Sequence, residues 1–178
     1  MDPKNFAIIA IGNILQKDDG LAIFAARYLE ENYSFEPVLE IIQGGVEGIN
    51  LLNTFMEYDE ILFLDCIDSA DKVGTIYEIP TTELKASGVI QSSAHEIGLM
   101  ESLGMLELMG EAVPPSTLLA MVPSEIKTEI GLSEPLKENF DLYIRTAIKI
   151  LSELGFSVRP KEALVTLEEV IQSFRQWQ

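Results

Sequence analysis

Three short runs of apolar residues limit the architecture open to this chain: Phe6-Ala-Ile-Ile-Ala-Ile11, the Ile-Leu-Phe-Leu of Glu60 to Asp65, and Thr117-Leu-Leu-Ala-Met-Val122. Each is too short for a core helix. None alternates apolar with polar as a strand with one wet face does. They read as strands covered on both sides, the pattern of a parallel sheet buried between helices. Gly12-Asn13 stops the first run and Pro123 stops the last.

Between these runs the apolar spacing changes to a helical period. Gly20 to about Tyr33 carries Leu21, Phe24, Ala25, Tyr28 and Leu29 on one stripe. Val38 to Ile42 reads as a second strand closed by Gly44-Gly45, and Glu47 to about Met56 as a short helix. Val73 to Ile79 alternates more, which fits a strand at or near an edge, ended by Pro80. Glu83 to Gln91 fits neither pattern. His95 to about Met109 and Ser133 to about Leu154 read as helices. For the second, Ser133 is the expected N-cap and Gly155 the C-cap. Lys161 to Trp177 reads as a last amphipathic helix. Strand and helix in alternation make an α/β sandwich around a mostly parallel sheet. With no repeat, low-complexity tract or linker, 178 residues at 47% hydrophobic content make one domain with a sizeable core.

Charge narrows the partners. The chain has 29 acidic and 12 basic residues, a formal charge of -17. Such a field repels phosphate backbones and anionic lipid, so neither nucleic acid nor a membrane surface is expected as a partner. No apolar run is long enough to cross a bilayer. The single cysteine, Cys66, allows no intrachain disulfide, and a reducing cytoplasm is the expected location.

In parallel sheets, ligands bind just beyond the carboxyl ends of the strands. Asp19 follows the first strand, Gly44-Gly45 the second, and Asp65 ends the third. The only histidine, His95, sits in Ser-Ala-His-Glu-Ile-Gly-Leu, where a loop runs into a helix. Each has an ordinary reading: Asp18 or Asp19 as a helix cap, Asp65 as a loop hydrogen-bond partner, His95 as a surface imidazole. Their coincidence at one rim points instead to an oxygen-and-nitrogen metal site, suited to nickel, zinc or manganese. A structural zinc site would need four Cys or His ligands. The loop Ala10-Ile-Gly-Asn-Ile-Leu15 lacks the glycine spacing of a dinucleotide fingerprint. Cys66, adjacent to Asp65 on a strand, should point to the opposite face and serve as a small hydrophobe rather than a nucleophile.

Taken in order, several motifs are familiar. They are Ile11-Gly-Asn-Ile-Leu-Gln-Lys-Asp-Asp-Gly20, Gly44-Gly45 with Gly48 beyond, Ile61-Leu-Phe-Leu-Asp65, His95-Glu-Ile-Gly-Leu99, Pro123, and Gly131-Leu-Ser133. The set, spanning about residues 6 to 155, resembles the nickel–iron hydrogenase maturation proteases. The resemblance implies a three-layer sandwich of phosphorylase/hydrolase-like type, with a twisted, mostly parallel five-stranded sheet between helices. It implies an endopeptidase that removes the C-terminal extension of a nickel-loaded [NiFe] hydrogenase large-subunit precursor, by aspartic-type or metal-assisted hydrolysis. Asp19, Asp65 and His95 then form the catalytic and metal-contacting trio, with Asp18 secondary. The ion is Ni(2+), carried by the substrate itself, with other divalent ions as possible substitutes. The partner is the precursor, and a monomer is the default state. A non-hydrolytic nickel carrier or checkpoint module is the alternative for the same pocket. The whole chain, 1–178, is then one maturation-protease domain, with a core at about 6–155 and a helical tail at 161–178. This chain departs from the family pattern at Ala10, where glycine is common, at Gln43, where aspartate is common, and in its longer tail.

Overall fold

The computed structural model describes residues 5–45, 51–88 and 94–176, with the backbone alone at 45, 85 and 94–97. Strand β1 (Phe6–Ile11) leads through a 3-10 turn (Lys17–Gly20) into α1 (Leu21–Asn32). Then come β2 (Tyr33–Glu36), β3 (Glu40–Gly45), α2 (Leu51–Glu57), β4 (Glu60–Cys66) and β5 (Ile76–Pro80). A second 3-10 turn (Thr81–Glu83) enters α3 (Leu84–Ser87). The chain closes with α4 (Ala94–Met109), β6 (Ser116–Met121), α5 (Glu134–Glu153), β7 (Ser157–Pro160) and α6 (Leu167–Arg175).

The main sheet has five strands in the order β3-β1-β4-β6-β5. The first four are parallel, and β5 runs antiparallel along the β6 edge. Every residue of β1 is buried, as an unbroken apolar run requires. Alternate residues of each strand feed two separate cores. Ile8, Ala10, Leu62, Leu64, Leu119 and Met121 pack with α1, α5 and α6. Ala7, Ile9, Ile61, Phe63, Leu118 and Ala120 face α2, α3 and α4 on the other side. The three-layer sandwich with a mostly parallel sheet is therefore present.

Several elements differ from the sequence expectation. The second strand of the sheet starts at Glu40 and includes Gly44 and Gly45, where Val38 to Ile42 was expected. Val38 is instead almost fully exposed, beside the cis Glu36–Pro37 bond. The small antiparallel ladder of β2 with β7, pairing Tyr33 with Pro160, was not expected at all. Its strands are four residues each: in β2 Tyr33 and Phe35 alternate with polar residues and pack on the core, a signal too short to separate from the helix before it, and β7 is mostly exposed. The last helix is shorter than the periodic stretch from Lys161. It begins after Thr166, whose hydroxyl accepts from Glu169 N while the Glu169 carboxylate accepts from Thr166 N. The start of the helix expected at Glu47, together with Gly48, lies outside the described residues, as does the end of the ambiguous Glu83–Gln91 stretch. Among the described residues, no helix is long and apolar enough to cross a membrane.

Candidate active site

Because β1, β3, β4 and β6 run parallel, their carboxyl ends form one rim, and the loop after β1 is folded there around Asp19. Asn13 N donates to both the Asp19 carbonyl and Asp19 Oδ2, each at 3.1 Å. Asn13 Oδ1 in turn accepts from Leu15 N. A Cβ on Gly12 would stand 2.2 Å from the Asp19 carbonyl oxygen, a distance that only glycine avoids. The Asp19 side chain is left half-buried, with a route to solvent.

Its neighbour Asp18 does something different. It is wholly buried, and its carboxylate accepts four hydrogen bonds. Ser124 N and Glu125 N donate to Oδ2 at 2.9 Å, Ser133 N to Oδ1 at 2.7 Å, and Ser133 Oγ to Oδ2 at 2.7 Å. A buried carboxylate is tolerable only with this degree of satisfaction. Neither aspartate caps α1, whose N-cap is Gly20 without a side-chain bond. Ser133 does occupy the N-cap position of α5, but its hydroxyl is committed to Asp18 instead. Asp18 thus fastens the loop after β6 to the loop after β1. Lys17 adds to this seam: its backbone N donates to Glu129 O, and its ammonium lies 2.6 Å from Glu125 and 3.5 Å from Glu129. Hydrogen bonds from Lys17 and Lys127 hold the Glu125 carboxyl down at about 2. Sequence reasoning missed this role, because Asp18 and its partners are separated by more than 100 residues.

Asp65 lies near the end of β4 and is buried. Its Oδ1 accepts from Cys66 N at 2.7 Å. Strand alternation turns Asp65 toward the α4 face, with Phe63 and Ile67, and Cys66 toward the α5 core. Burial pushes the Cys66 thiol well up, and the fields of Asp65, Asp19, Asp18 and Asp68 push it further. A thiol so placed stays protonated and is no nucleophile. The 3-10 turn carrying Asp19 packs against β4, the strand that carries Asp65. Asp68 and Asp71 are exposed loop charges, Asp71 accepting from the Tyr77 hydroxyl.

His95 is the second residue of α4; its side chain lies outside the described residues. The middle and carboxyl part of α4 (Met100, Leu103, Gly104, Glu107) borders a cavity of about 150 Å³ with Thr81 and Thr82, which follow the far end of β5. A short loop then enters β6 at its amino end. The amino end of α4 therefore points toward the rim that holds Asp19 and Asp65. Among the described residues, no three Asp, Glu, His or Cys side chains are grouped to hold a metal ion.

Acidic groups at the carboxyl edge of a parallel sheet, between two helix layers, lie where α/β proteins as a class bind their ligands. The chain belongs to the hydrogenase maturation protease family, whose model matches residues 23–150. That span contains Asp65 and His95 and begins just after Asp19. Hydrogenase 2 maturation protease of Escherichia coli (strain K12) is 27% identical over 158 residues, covering 88% of this chain and 96% of its own. The HupD hydrogenase expression/formation protein of Rhizobium leguminosarum bv. viciae is 29% identical, covering 89% and 80%. In three dimensions the chain is similar to the hydrogenase maturating endopeptidase HybD of E. coli. The TM-score is 0.79 at 26% identity, over 88% of this chain and 98% of that one. The [NiFe] hydrogenase maturation protease HybD of Thermococcus kodakarensis aligns at 0.67 and 25% identity, over 83% and 99%. The activity is that of a peptidase in hydrogenase maturation, which disfavours the non-hydrolytic carrier.

Proposed function

We propose that this protein removes the C-terminal extension from a nickel-loaded [NiFe] hydrogenase large-subunit precursor, and that Asp19, Asp65 and His95 contact the nickel the precursor brings. The observation that supports the reading is the packing of the 3-10 turn that carries Asp19 against β4, the strand that carries Asp65, at the end of the sheet toward which the first turn of α4 points. Two carboxylates and an imidazole match the ligand preference of a divalent nickel ion. An ion already seated in the precursor fixes the scissile bond relative to the protease, so metal loading licenses cleavage.

Metal-assisted hydrolysis suits the two environments. Asp65, buried and hydrogen-bonded to Cys66 N, is held in place as a contact for the ion. Asp19, half-buried and oriented by Asn13 N, is the carboxylate with access to water. It takes a proton as water attacks the scissile carbonyl polarised by the ion. Collapse of the tetrahedral adduct breaks the C–N bond, and the leaving amine receives that proton. The test is incubation of nickel-loaded precursor with wild type and with Asp19→Asn and His95→Gln variants, followed by gel mobility. Tail removal should fall by at least a hundredfold in each variant, the scale of losing a general base or a metal contact. Undiminished cleavage by either variant overturns the assignment.

A further inference from the structure

Tyr143 is a buried ionisable side chain that the reaction above does not use. It stands on α5 and is fully buried in the core between that helix and the sheet. Its hydroxyl is nevertheless spent on the sheet rather than on its own helix. It lies 2.8 Å from Leu119 O on β6 and 3.2 Å from both Asp65 N and Asp65 O on β4. A hydroxyl has one proton. Donated to Leu119 O over the shortest of these distances, that proton leaves the oxygen lone pairs for Asp65 N. The phenol therefore bridges the two central strands at the residue where β4 delivers its carboxylate to the rim.

From this geometry we infer that Tyr143 is a positioning residue for the peptidase reaction, setting the Asp65 carboxylate through its backbone. The inference rests on the reading that Asp65 contacts the substrate's nickel. Tyr143 cannot touch substrate, because it is buried on the α5 face while strand alternation sends the Asp65 side chain to the α4 face. Its influence passes through one peptide unit. The Asp65 amide is held by the phenol and the following amide, Cys66 N, is held by Asp65 Oδ1. The backbone on both sides of the Asp65 Cα is thus pinned, which restricts where the carboxylate sits.

The test is Tyr143→Phe, which keeps the ring and removes the bridge, measured beside Phe140→Leu and Asp65→Asn on nickel-loaded precursor. Phe140 lies one turn earlier on α5 in the same core, its ring edge-on to Tyr28 with centroids 5.3 Å apart. Tyr143→Phe is expected to lower kcat tenfold to a hundredfold with KM unchanged, the scale of a misplaced reacting group. Phe140→Leu is expected to lower Tm with kcat intact. Wild-type kcat in Tyr143→Phe, or an equal loss of kcat in Phe140→Leu, overturns the inference and leaves the role of Asp65 standing. Wild-type cleavage by Asp65→Asn overturns both, by a result in which Tyr143 has no part.

Discussion

Two adjacent aspartates illustrate how far identical chemistry can diverge. Asp18 has no exposed surface and four donors; the Asp19 carboxylate is half-buried and accepts from Asn13 N. Asp18→Asn would turn an amide NH2 toward groups that are themselves donors, leaving buried N–H groups unsatisfied. A loss of about 3 kcal/mol is expected, which corresponds to roughly 10 °C in Tm for a domain of this size. Asp19→Asn should leave Tm within about two degrees, since a half-exposed amide still accepts from Asn13 N. Thermal melts of the two variants decide the matter. Equal melting temperatures would contradict the division into a fastener and a reacting group. The distinction was not legible in Lys17-Asp-Asp-Gly20 itself, because the partners of Asp18 lie at Ser124, Glu125 and Ser133.

At the scale of elements, legibility followed the range of the interactions. β1 was read residue for residue, since six buried apolar side chains carry their own signal. β4 runs one residue longer than expected, and β6 is shifted back by one residue at both ends. The rim positions of Asp19 and Asp65 followed from those strands plus the parallel direction. β2 and β7 escaped because each exists only through the other, with Tyr33 paired to Pro160 across the whole α/β unit. The seam between the loops after β1 and β6 escaped for the same reason. It includes the bridge of Gln16 with Glu129 and the Lys17, Glu125, Lys127 and Glu129 ion cluster. That seam has a signature in acid. Glu125 is depressed in the folded protein, so its stabilisation is complete above the ordinary carboxylate value of 4.5 and is lost as pH falls toward about 2. Lys17→Met removes the first cause of that depression, and its acid-unfolding curve should lose less stability between these limits than wild type does. Parallel curves would show that Lys17 does not hold Glu125. The capping box of α6 is a second, independent element. Thr166→Ala should cost about 1 kcal/mol by chemical denaturation, because α6 contributes Val170 and Ile171 to the core through a short helix that depends on its first turn. No change would mean that the packing of α6 on α1 alone fixes its start.

For the molecule as a whole, the surplus of acid over base dominates. A formal charge of -17 on 178 residues is self-repelling, and compaction brings those charges closer than in the unfolded chain. Added salt acts on this in two opposing ways. It weakens exposed pairs such as Arg27 with Glu31 and Arg145 with Asp141, each worth at most about 1 kcal/mol. It also screens the long-range repulsion, since the Debye length falls from about 30 Å at 0.01 M to about 10 Å at 0.1 M. The repulsion involves many charges separated by more than 10 Å, whereas the pairs are in contact, so screening removes repulsion first. Tm should therefore rise by several degrees as sodium chloride increases from about 0.01 to 0.2 M, and potassium chloride should do the same. A fall in Tm over that range would mean that the local pairs outweigh the net field. The buried rim aspartates should not share in the gain: Asp18 is neutralised by fixed amide dipoles that mobile ions cannot reach. The Tm difference between wild type and Asp18→Asn should accordingly be the same at both ends of the salt series.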